Sequence, residues 1–402
     1  MDKRSRDLKN SISEFSFKQF PASLSAQRPL ASIKNMKAFP RYNPSFNPNN
    51  NSLKYLKLAP ISLLSNSASS PIIKSPMPTV CPPESPCLQV EPSIKRRVSR
   101  CGFHSQKGQT NGFPKDQNQD NILIIPKVNN IPYQFLFGVF DGHGSFGHSV
   151  STIIKNRIKS TTSSLKPSTS IKDLKDFLNY SINVTSQTVL ASPINTKDSG
   201  STLCLLAISG NILACANIGD SRCILVSTKE CEDSPKDPTD LSQQNSKWEI
   251  VQMSKDHKPS DKEEAERVIK CGGIIDKNPF DNNEAEGVLR VWSKNSKVPG
   301  LAMTRSIGDT WLKKLGVTSE PEILTKELTA KDKYIILASD GLWDVISEQD
   351  CAEIVYHTIS EGNHAKIASQ ALVEEASNRW KSKGNNIDDI SVIVVLLNNK
   401  HN

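Results

Sequence analysis

The sequence lacks the signatures of several broad functional classes. It has no Cys-x-x-Cys pair, and its seven histidines show no zinc-ligand pattern, which argues against the common zinc modules. There is no G-x-x-x-x-G-K-[ST] loop to hold the phosphates of a nucleotide. No apolar stretch is long enough to span a membrane, and residues 1–6 lack the apolar segment of a signal peptide. We therefore expect no membrane association and no secretion.

Cysteine usage indicates a reducing compartment. The nine cysteines are an odd number, are scattered along the chain, and several lie inside apolar runs. Disulfide frameworks show even numbers and regular spacings instead. We expect reduced thiols and a cytoplasmic and/or nuclear protein.

Positive charge is scarce outside the first quarter of the chain. Residues 1–100 contain 16 Lys and Arg against 5 Asp and Glu, a net charge of +11, within an overall net charge of +8. The remaining residues are therefore mildly acidic, with a net charge of −3. Such a region carries no electrostatic footprint for nucleic acid, so a nucleic-acid-binding protein is disfavoured.

The first 98 residues differ in composition from the rest. They hold 13 of the 24 prolines, together with Asn-rich stretches and Ser-Pro pairs, and show neither helical nor strand periodicity. This composition predicts a disordered, basic, Pro/Ser/Asn-rich tail over residues 1–98. An alternative is that short segments such as residues 53–64 dock onto the domain or a partner. We expect one folded domain over residues 99–400, with the polar residues 228–247 as an inserted surface loop.

From residue 99 onward, hydrophobic patterning alternates between strands and helices. The predicted strands are 121–125, 133–140, 201–208, 212–218, 222–226, 248–253, 334–338 and 391–397. The predicted helices are 146–159, 171–190, 261–270, 349–359 and 365–381. A hairpin turn at Ser209-Gly210-Asn211 and helices set apart from the strands predict a layered α+β domain.

Carboxylates lie at the ends of several of these predicted strands. Asp141-Gly142-His143-Gly144 follows the strand 133–140, Asp340-Gly341 follows 334–338, Gly219-Asp220 follows 212–218, and Asp388-Asp389 precedes 391–397. An Asp-Gly pair alone is more often a turn. Several carboxylates on one rim of a sheet need compensation, which divalent cations with oxygen ligands usually provide. Residues 142–147 also fit G-x-G-x-x-G, but the following elements do not fit a dinucleotide fold.

These segments resemble one family over about residues 100–398. The similarity is to the metal-dependent protein serine/threonine phosphatases of type 2C, in the branch common in plants and protists. The matching segments, in family order, are Asn118-Gln119-Asp120, Asp141-Gly142-His143-Gly144, Ser199-Gly200-Ser201-Thr202, Ala216-Asn217-Ile218-Gly219-Asp220-Ser221-Arg222, Asp256-His257-Lys258-Pro259, Pro299-Gly300-Leu301-Ala302-Met303-Thr304-Arg305-Ser306-Ile307-Gly308-Asp309, Ala338-Ser339-Asp340-Gly341-Leu342-Trp343-Asp344 and Asp388-Asp389-Ile390-Ser391-Val392.

The resemblance implies a four-layer αββα sandwich of two antiparallel sheets flanked by helices. It also implies a monomer that hydrolyses phosphoserine and phosphothreonine in phosphoprotein substrates, using a hydroxide bridged by two Mg²⁺ or Mn²⁺ ions. By the same resemblance Asp141 bridges both ions, the Gly142 carbonyl ligates one, and Asp340 and Asp388 ligate the other. His143 would protonate the leaving alkoxide.

Two positions depart from the common family pattern. Gln119-Asp120 stands where many members have Glu-Asp, which suggests that Asp120 supports metal-bound waters. The phosphate-binding arginine is replaced by Lys115, which offers a point charge in place of a bidentate fork. Asp220 and Asp344 are candidates either for a weaker third ion or for structural roles. Because the ligand set is present, activity is favoured over the alternative of a catalytically weak or dead phosphoprotein-binding regulator.

Two further features were assigned roles from sequence. Asp309 is interpreted as a rim residue that orders a nearby flap, and His257, in a turn, as structural. The segment Lys95-Arg96-Arg97-Val98-Ser99-Arg100 is either a solvated basic linker or a regulatory site. Two arginines shortly before Ser99 form a pattern read by basophilic kinases, so a kinase acting at Ser99 is a candidate partner.

Overall fold

The computed structural model describes residues 98–166, 170–229, 247–277, 287–294 and 300–398. The predicted tail lies outside the described residues except for Val98, where the first strand begins. Most of the predicted inserted loop, residues 230–246, also lies outside them. Both remain predictions.

The strands, in chain order, are β1 Val98–Gln106, β2 Gln109–Thr110, β3 Phe113–Pro114, β4 Asn121–Ile125, β5 Gln134–Phe140, β6 Gly142–His143, β7 Gly200–Ser201, β8 Leu203–Ser209, β9 Ile212–Ile218, β10 Arg222–Thr228, β11 Trp248–Gln252, β12 Ile274–Asp276, β13 Arg290–Trp292, β14 Ile307–Gly308, β15 Glu322–Glu327, β16 Asp332–Ala338 and β17 Ile390–Leu397. The α-helices are α1 Gly147–Thr161, α2 Ile171–Leu190, α3 Lys262–Lys270, α4 Thr310–Lys313, α5 Asp340–Trp343, α6 Glu348–Ser360 and α7 Ala365–Lys383.

Two five-stranded antiparallel sheets form the centre of the domain. The first has the strand order β15-β9-β8-β5-β4 and the second has the order β1-β17-β16-β10-β11. A smaller sheet with the order β14-β7-β6 lies next to the end of β5 and joins three motif segments. Through this small sheet, residues distant in sequence reach one site.

Alternating side chains of the central strands divide the apolar residues into three layers. Along β8, Leu203 and Leu205 pack toward α1 and α2, whereas Cys204 and Leu206 pack between the two sheets. On the second sheet, Ile335 of β16 faces the first sheet, while its neighbours contribute to a core with α6 and α7. Strands buried on both faces need continuous apolar runs, as this sequence has. The predicted four-layer αββα sandwich is confirmed.

Most predicted elements agree closely with the structure, and the misses have a common cause. The strands β4 and β9 and the helix α2 have the predicted bounds. The two long strands that the prediction missed, β1 and β15, are the outer strands of their sheets and carry many polar residues. Their polar residues interrupt the apolar run, whereas the outer strand β4 is almost entirely apolar and was predicted.

One predicted strand is divided in two. Residues 201–208 were predicted as continuous, but the structure breaks at Thr202 between β7 and β8. The Thr202 amide donates to the Asp141 carbonyl at 2.8 Å, and the Asp141 amide donates to the Thr202 hydroxyl at 3.0 Å. These two hydrogen bonds at the break therefore fix the backbone of Asp141, a candidate metal ligand.

None of the helices in the described part of the chain combines the length and apolar character needed to cross a bilayer.

Candidate metal centre

Five aspartates lie at one edge of the sandwich, at strand ends contributed by both sheets. This set, called the acidic rim below, consists of Asp120 before β4, Asp141 after β5, Asp220 after β9, Asp340 after β16 and Asp388 before β17. In antiparallel neighbours, the end of one strand lies beside the start of the next, as Asn121 lies opposite Phe140 and Ala338 opposite Val392. Strand order therefore brings all five positions to the same edge.

The pKa values of three of these carboxylates are raised, in part because the carboxylates lie close together. Burial, followed by the charges of Asp120 and Asp340, raises the pKa of Asp141 well above its ordinary value. Burial and the charge of Asp220 likewise raise the pKa of Asp340. Burial also raises the pKa of Asp120 to about 7, although Ser391 and Ser339 oppose the shift. The protein alone therefore does not neutralise this edge at neutral pH.

Several buried oxygens of the rim have no hydrogen-bond partner. They are one carboxylate oxygen, Oδ1, on each of Asp120, Asp220 and Asp340. An unpaired buried carboxylate oxygen is costly unless a cation compensates it. An all-oxygen set of unpaired carboxylates is the donor chemistry that Mg²⁺ and Mn²⁺ prefer. The residues present therefore fit divalent cations.

Lys115 is a cation that the chain itself brings to the rim, at Asp388. Its Nζ lies 2.6 Å from Asp388 Oδ1 and 3.5 Å from Asp389 Oδ2. Burial lowers the pKa of Lys115, but Asp388 and Asp389 outweigh that effect and the net shift is upward. Among the described residues, no three His, Cys, Asp or Glu side chains form a ready-made cage around one point. An ion that binds Asp388 must compete with Lys115 for it.

Asp389, next to the predicted ligand, has a structural role that the sequence did not indicate. Its carboxylate accepts from the amide of Gly108 at 2.7 Å and from that of Gln119 at 2.9 Å, and only 3% of its surface is exposed. Gln119 in turn donates its side-chain amide to the carbonyl of Gly144 at 2.8 Å. Gln119 therefore ties two site loops together, which a carboxylate there could not do without a proton.

His143 pairs with Asp309, and this contact was not predicted. The ring nitrogen Nε2 lies 2.7 Å from Asp309 Oδ2, and Asp309 is 2% exposed. Burial alone would lower the pKa of His143, but the charge and hydrogen bond of Asp309 raise it above the ordinary value. Reciprocally, burial would raise the pKa of Asp309, and His143 lowers it. The pair is therefore a charged imidazolium–carboxylate contact over a widened pH range.

The backbone around this pair allows its close approach. Asp309 adopts a left-handed φ of +46°, and its amide donates to the Ser199 carbonyl at 3.0 Å. A Cβ at Gly200 would lie 2.1 Å from Asp309 Oδ2 and 2.9 Å from His143 Nε2. Only glycine therefore fits between the two side chains. The Gly308-Asp309 motif was the sequence signal for this partner, but sequence alone did not show what it faces.

Asp220 and Asp344, the third-ion candidates, share Lys258. Its Nζ lies 3.8 Å from Asp220 Oδ2 and 3.4 Å from Asp344 Oδ1. Burial raises the pKa of Asp220 to about 6, with Lys258 opposing the shift. His257, interpreted as structural, is buried, and its Nδ1 accepts from the Gly219 amide at 3.2 Å. Its backbone amide donates to the Gly219 carbonyl at 2.9 Å, so His257 orders the turn that carries Asp220.

Comparisons with known proteins agree on one family. Residues 105–384 match the family model for protein phosphatase 2C. The chain is 31% identical over 306 residues to Probable protein phosphatase 2C 73 of Arabidopsis thaliana, covering 70% of this chain and 76% of that protein. It is 34% identical over 272 residues to Probable protein phosphatase 2C 61 of the same plant, covering 66% and 77%.

Solved structures show the same fold at lower identity. A serine-threonine phosphatase 2C from Toxoplasma gondii has a TM-score of 0.58 at 20% identity, covering 75% of this chain and 97% of that one. A sex-determining protein of C. elegans has a TM-score of 0.55 at 23% identity, covering 74% and 64%.

Proposed function

The chain belongs to the protein phosphatase 2C family, whose members are protein serine/threonine phosphatases, and we propose that it hydrolyses phosphoserine and phosphothreonine in proteins using two Mg²⁺ or Mn²⁺ ions. The observation that carries the metal-dependent part is the unpaired oxygens of Asp120, Asp220 and Asp340. A folded protein rarely leaves several buried carboxylate oxygens without partners unless a ligand satisfies them.

Asp141 and the Gly142 carbonyl, together with Asp340 and Asp388, would hold the two ions. When bound, the ions would supply a nucleophile at neutral pH and positive charge for the phosphoryl oxygens. Asp220 and Asp344 would serve a third, weaker ion. Asp120, whose Oδ2 accepts from the Ser339 hydroxyl at 2.8 Å, would order water beside the ions.

His143 would provide the proton that the leaving serine or threonine oxygen needs. Asp309 accepts from Nε2 and keeps the ring protonated, while Nδ1 has no hydrogen-bond partner in the protein. Nδ1, which is buried, is therefore the ring nitrogen that the protein leaves unpaired, and we assign the transferred proton to it. Transfer of this proton to the alkoxide would leave a neutral ring, still oriented by Asp309.

Lys115 would bind the phosphate of the substrate once an ion replaces it on Asp388. The 2.6 Å contact between Lys115 and Asp388 also bears on the second candidate function, a weak or inactive relative that binds phosphoproteins. If Lys115 holds Asp388 permanently, the second ion has no complete ligand set. Metal titration distinguishes the two.

Thiol chemistry supports a proposed cytoplasmic and/or nuclear location. The six cysteines among the described residues are free, and the Sγ atoms of Cys204 and Cys215 lie 3.9 Å apart without a bond. Reduced thiols at such a distance are typical of a reducing compartment.

The deciding experiment is phosphate release from a phosphothreonine peptide by protein dialysed against chelator, with and without added Mn²⁺. We expect activity only with metal. Full turnover in the chelated protein would overturn the metal-dependent mechanism. Mn²⁺ binding without turnover would favour the phosphoprotein-binding alternative.

A further inference from the structure

The last turn of α7 contacts the segment that carries the rim residue Asp340 and the third-ion candidate Asp344. Residues 340–345 comprise α5, which begins with Asp340 and has Asp344 at its C-terminal cap, and the residue after the cap. A helix leaves its last four carbonyls without intrahelical partners, and α5 is only four residues long. The carbonyls of Asp340 and Leu342 accept from backbone amides of residues 344–346, whereas those of Gly341, Asp344 and Val345 take donors from elsewhere.

Three side chains of α7 supply such donors. The Trp380 indole N–H donates to the Gly341 carbonyl at 2.7 Å, and Lys383 Nζ donates to the Asp344 carbonyl at 3.0 Å. Arg379 Nη1 donates to the carbonyl of Val345 at 3.2 Å. These three donors, Arg379, Trp380 and Lys383, are called the α7 clamp below.

Gly341 is held from its other side as well. A Cβ at this position would lie 2.1 Å from the Asp389 carbonyl, so its backbone packs directly on the segment that bears Asp388. The indole of Trp380 is half-buried and reaches Gly341 across the back of α5. The clamp therefore fixes the residue directly after Asp340 against the strand that begins after Asp388.

We propose that the α7 clamp, with Trp380 as its central member, is a positioning device that sets the affinity of the acidic rim for divalent cations. This inference rests on the proposed metal-dependent function. Asp340 lies with four other aspartates at one edge of the sandwich, where their like charges repel one another. Without fixed backbone contacts the α5 segment can move outward, and Asp340 would then leave the position in which it can bind an ion. The clamp opposes that relaxation without touching ion or substrate.

The test is a direct measurement of Mn²⁺ binding to the full-length protein by calorimetry. Trp380→Phe keeps an aromatic ring at this position but removes the N–H donor together with one ring of the indole. One hydrogen bond contributes roughly 0.5–1.5 kcal/mol, which corresponds to a weakening of Mn²⁺ binding by about two- to thirteenfold. Saturating Mn²⁺ should restore kcat, and KM for a phosphopeptide should stay unchanged. A merely structural role would lower the unfolding temperature of the metal-free protein and leave Mn²⁺ affinity intact.

Lys383→Met is a second variant, with a donor that is exposed and tolerant of change. Lys381→Met removes an exposed lysine of the same turn and serves as the matched control. We expect Lys383→Met to weaken Mn²⁺ binding and Lys381→Met to leave it unchanged. Wild-type affinity in folded Trp380→Phe and Lys383→Met proteins overturns the clamp alone. If the wild type binds no Mn²⁺, the proposed function fails together with the clamp.

Discussion

The acidic rim and the buried side chain of Glu264 have opposite environments. The acidic rim leaves carboxylate oxygens of Asp120, Asp220 and Asp340 without partners. Glu264 of α3, which is 3% exposed, accepts from Arg267 at 2.6 and 2.7 Å, from Arg305 at 2.7 Å and from the Thr304 hydroxyl at 2.5 Å.

The pKa values of the rim aspartates and of Glu264 differ in the same way. Burial raises the pKa of Asp141 and that of Asp340, and the like charges of neighbouring aspartates add to the rise. Burial would also raise the pKa of Glu264, but the hydrogen bonds from Arg267 and Arg305 outweigh burial and lower that pKa. A buried carboxylate is therefore not a functional signal in itself. The absence of a compensating partner distinguishes a site for a ligand from an internal ion pair.

The largest expected effect is on catalysis at the rim. Asp340→Asn keeps the size of the side chain and removes the charge that an ion would neutralise. We expect kcat on a phosphothreonine peptide to fall by at least about 100-fold, the usual scale for losing one preorganised electrostatic group. The measurement is phosphate release at saturating Mn²⁺, with Glu264→Gln as the buried-acid control. Comparable kcat values for Asp340→Asn and the wild type would remove Asp340 from the ion site.

A second large effect should depend on the leaving group. A serine alkoxide needs a proton, whereas p-nitrophenolate leaves readily without one. His143→Ala should therefore reduce kcat about 100-fold or more on the phosphopeptide and far less on p-nitrophenyl phosphate. Equal losses on the two substrates would assign His143 to metal positioning.

Asp309→Asn refines the same assignment through pH. Asp309 raises the pKa of His143, so its loss should lower that pKa and deprotonate the acid earlier. The alkaline limb of kcat on the phosphopeptide should then move to lower pH. An unshifted limb would mean that another group supplies the proton.

Glu264→Gln should affect stability more than chemistry. It leaves Arg267 and Arg305 facing each other without their carboxylate. Removing one partner of a fully buried pair costs about 3–5 kcal/mol, and we expect roughly 2–3 kcal/mol here because the Arg267 side chain remains partly exposed. Denaturant unfolding measures the cost, and Glu263→Gln, an exposed neighbour on α3, is the control. A loss no greater than that of the control would mean that the network contributes little.

The stability of the metal-free protein should depend on pH through two aspartates of the acidic rim. The pKa of Asp120 is raised to about 7 and that of Asp220 to about 6, both above the ordinary value of 3.8. Their contribution to stability is present below the unfolded pKa and is lost as pH rises through the folded pKa. The unfolding temperature without metal should therefore fall between about pH 4 and pH 7, and Mn²⁺ should remove the fall. A metal-free protein that becomes more stable over this range would contradict the charge assignment.

The smallest effect concerns Ser99, far from both acidic groups. Its hydroxyl donates to the Leu396 carbonyl at 3.0 Å, and it lines a 370 Å³ cavity with Lys247 and Lys333 at the sheet edge opposite the rim. Phosphorylation there remains a hypothesis, and the arginines at 96 and 97 lie outside the described residues. Ser99→Glu should change KM for a phosphopeptide by about twofold or less at low salt, since exposed charges interact weakly. Identical salt responses of wild type, Ser99→Ala and Ser99→Glu would leave the segment as a solvated linker.

Sequence by itself determined the fold class and the positions of the rim. Apolar runs predicted the buried strand β9 and also the outer strand β4, and helical periodicity predicted α2, all with their observed bounds. A carboxylate directly before or after such a run lies at the sheet edge, so Asp141, Asp220, Asp340 and Asp388 could be named from the local sequence. Asp120 was named from the family resemblance instead. The outer strands β1 and β15 were not predicted, because they are only partly buried and their polar residues leave no continuous apolar run in the sequence.

Only the tertiary structure decided which groups face each other across that edge. Asp309 meets His143 across 166 residues, and Lys115 meets Asp388 across 273 residues. Trp380 reaches the carbonyl of Gly341 across 39 residues. No local periodicity encodes such contacts, because they depend on the register of the sheets and on one close approach at Gly200. Residue type and strand pattern therefore located the acidic edge, whereas the packing of the two sheets selected the partner of each charge.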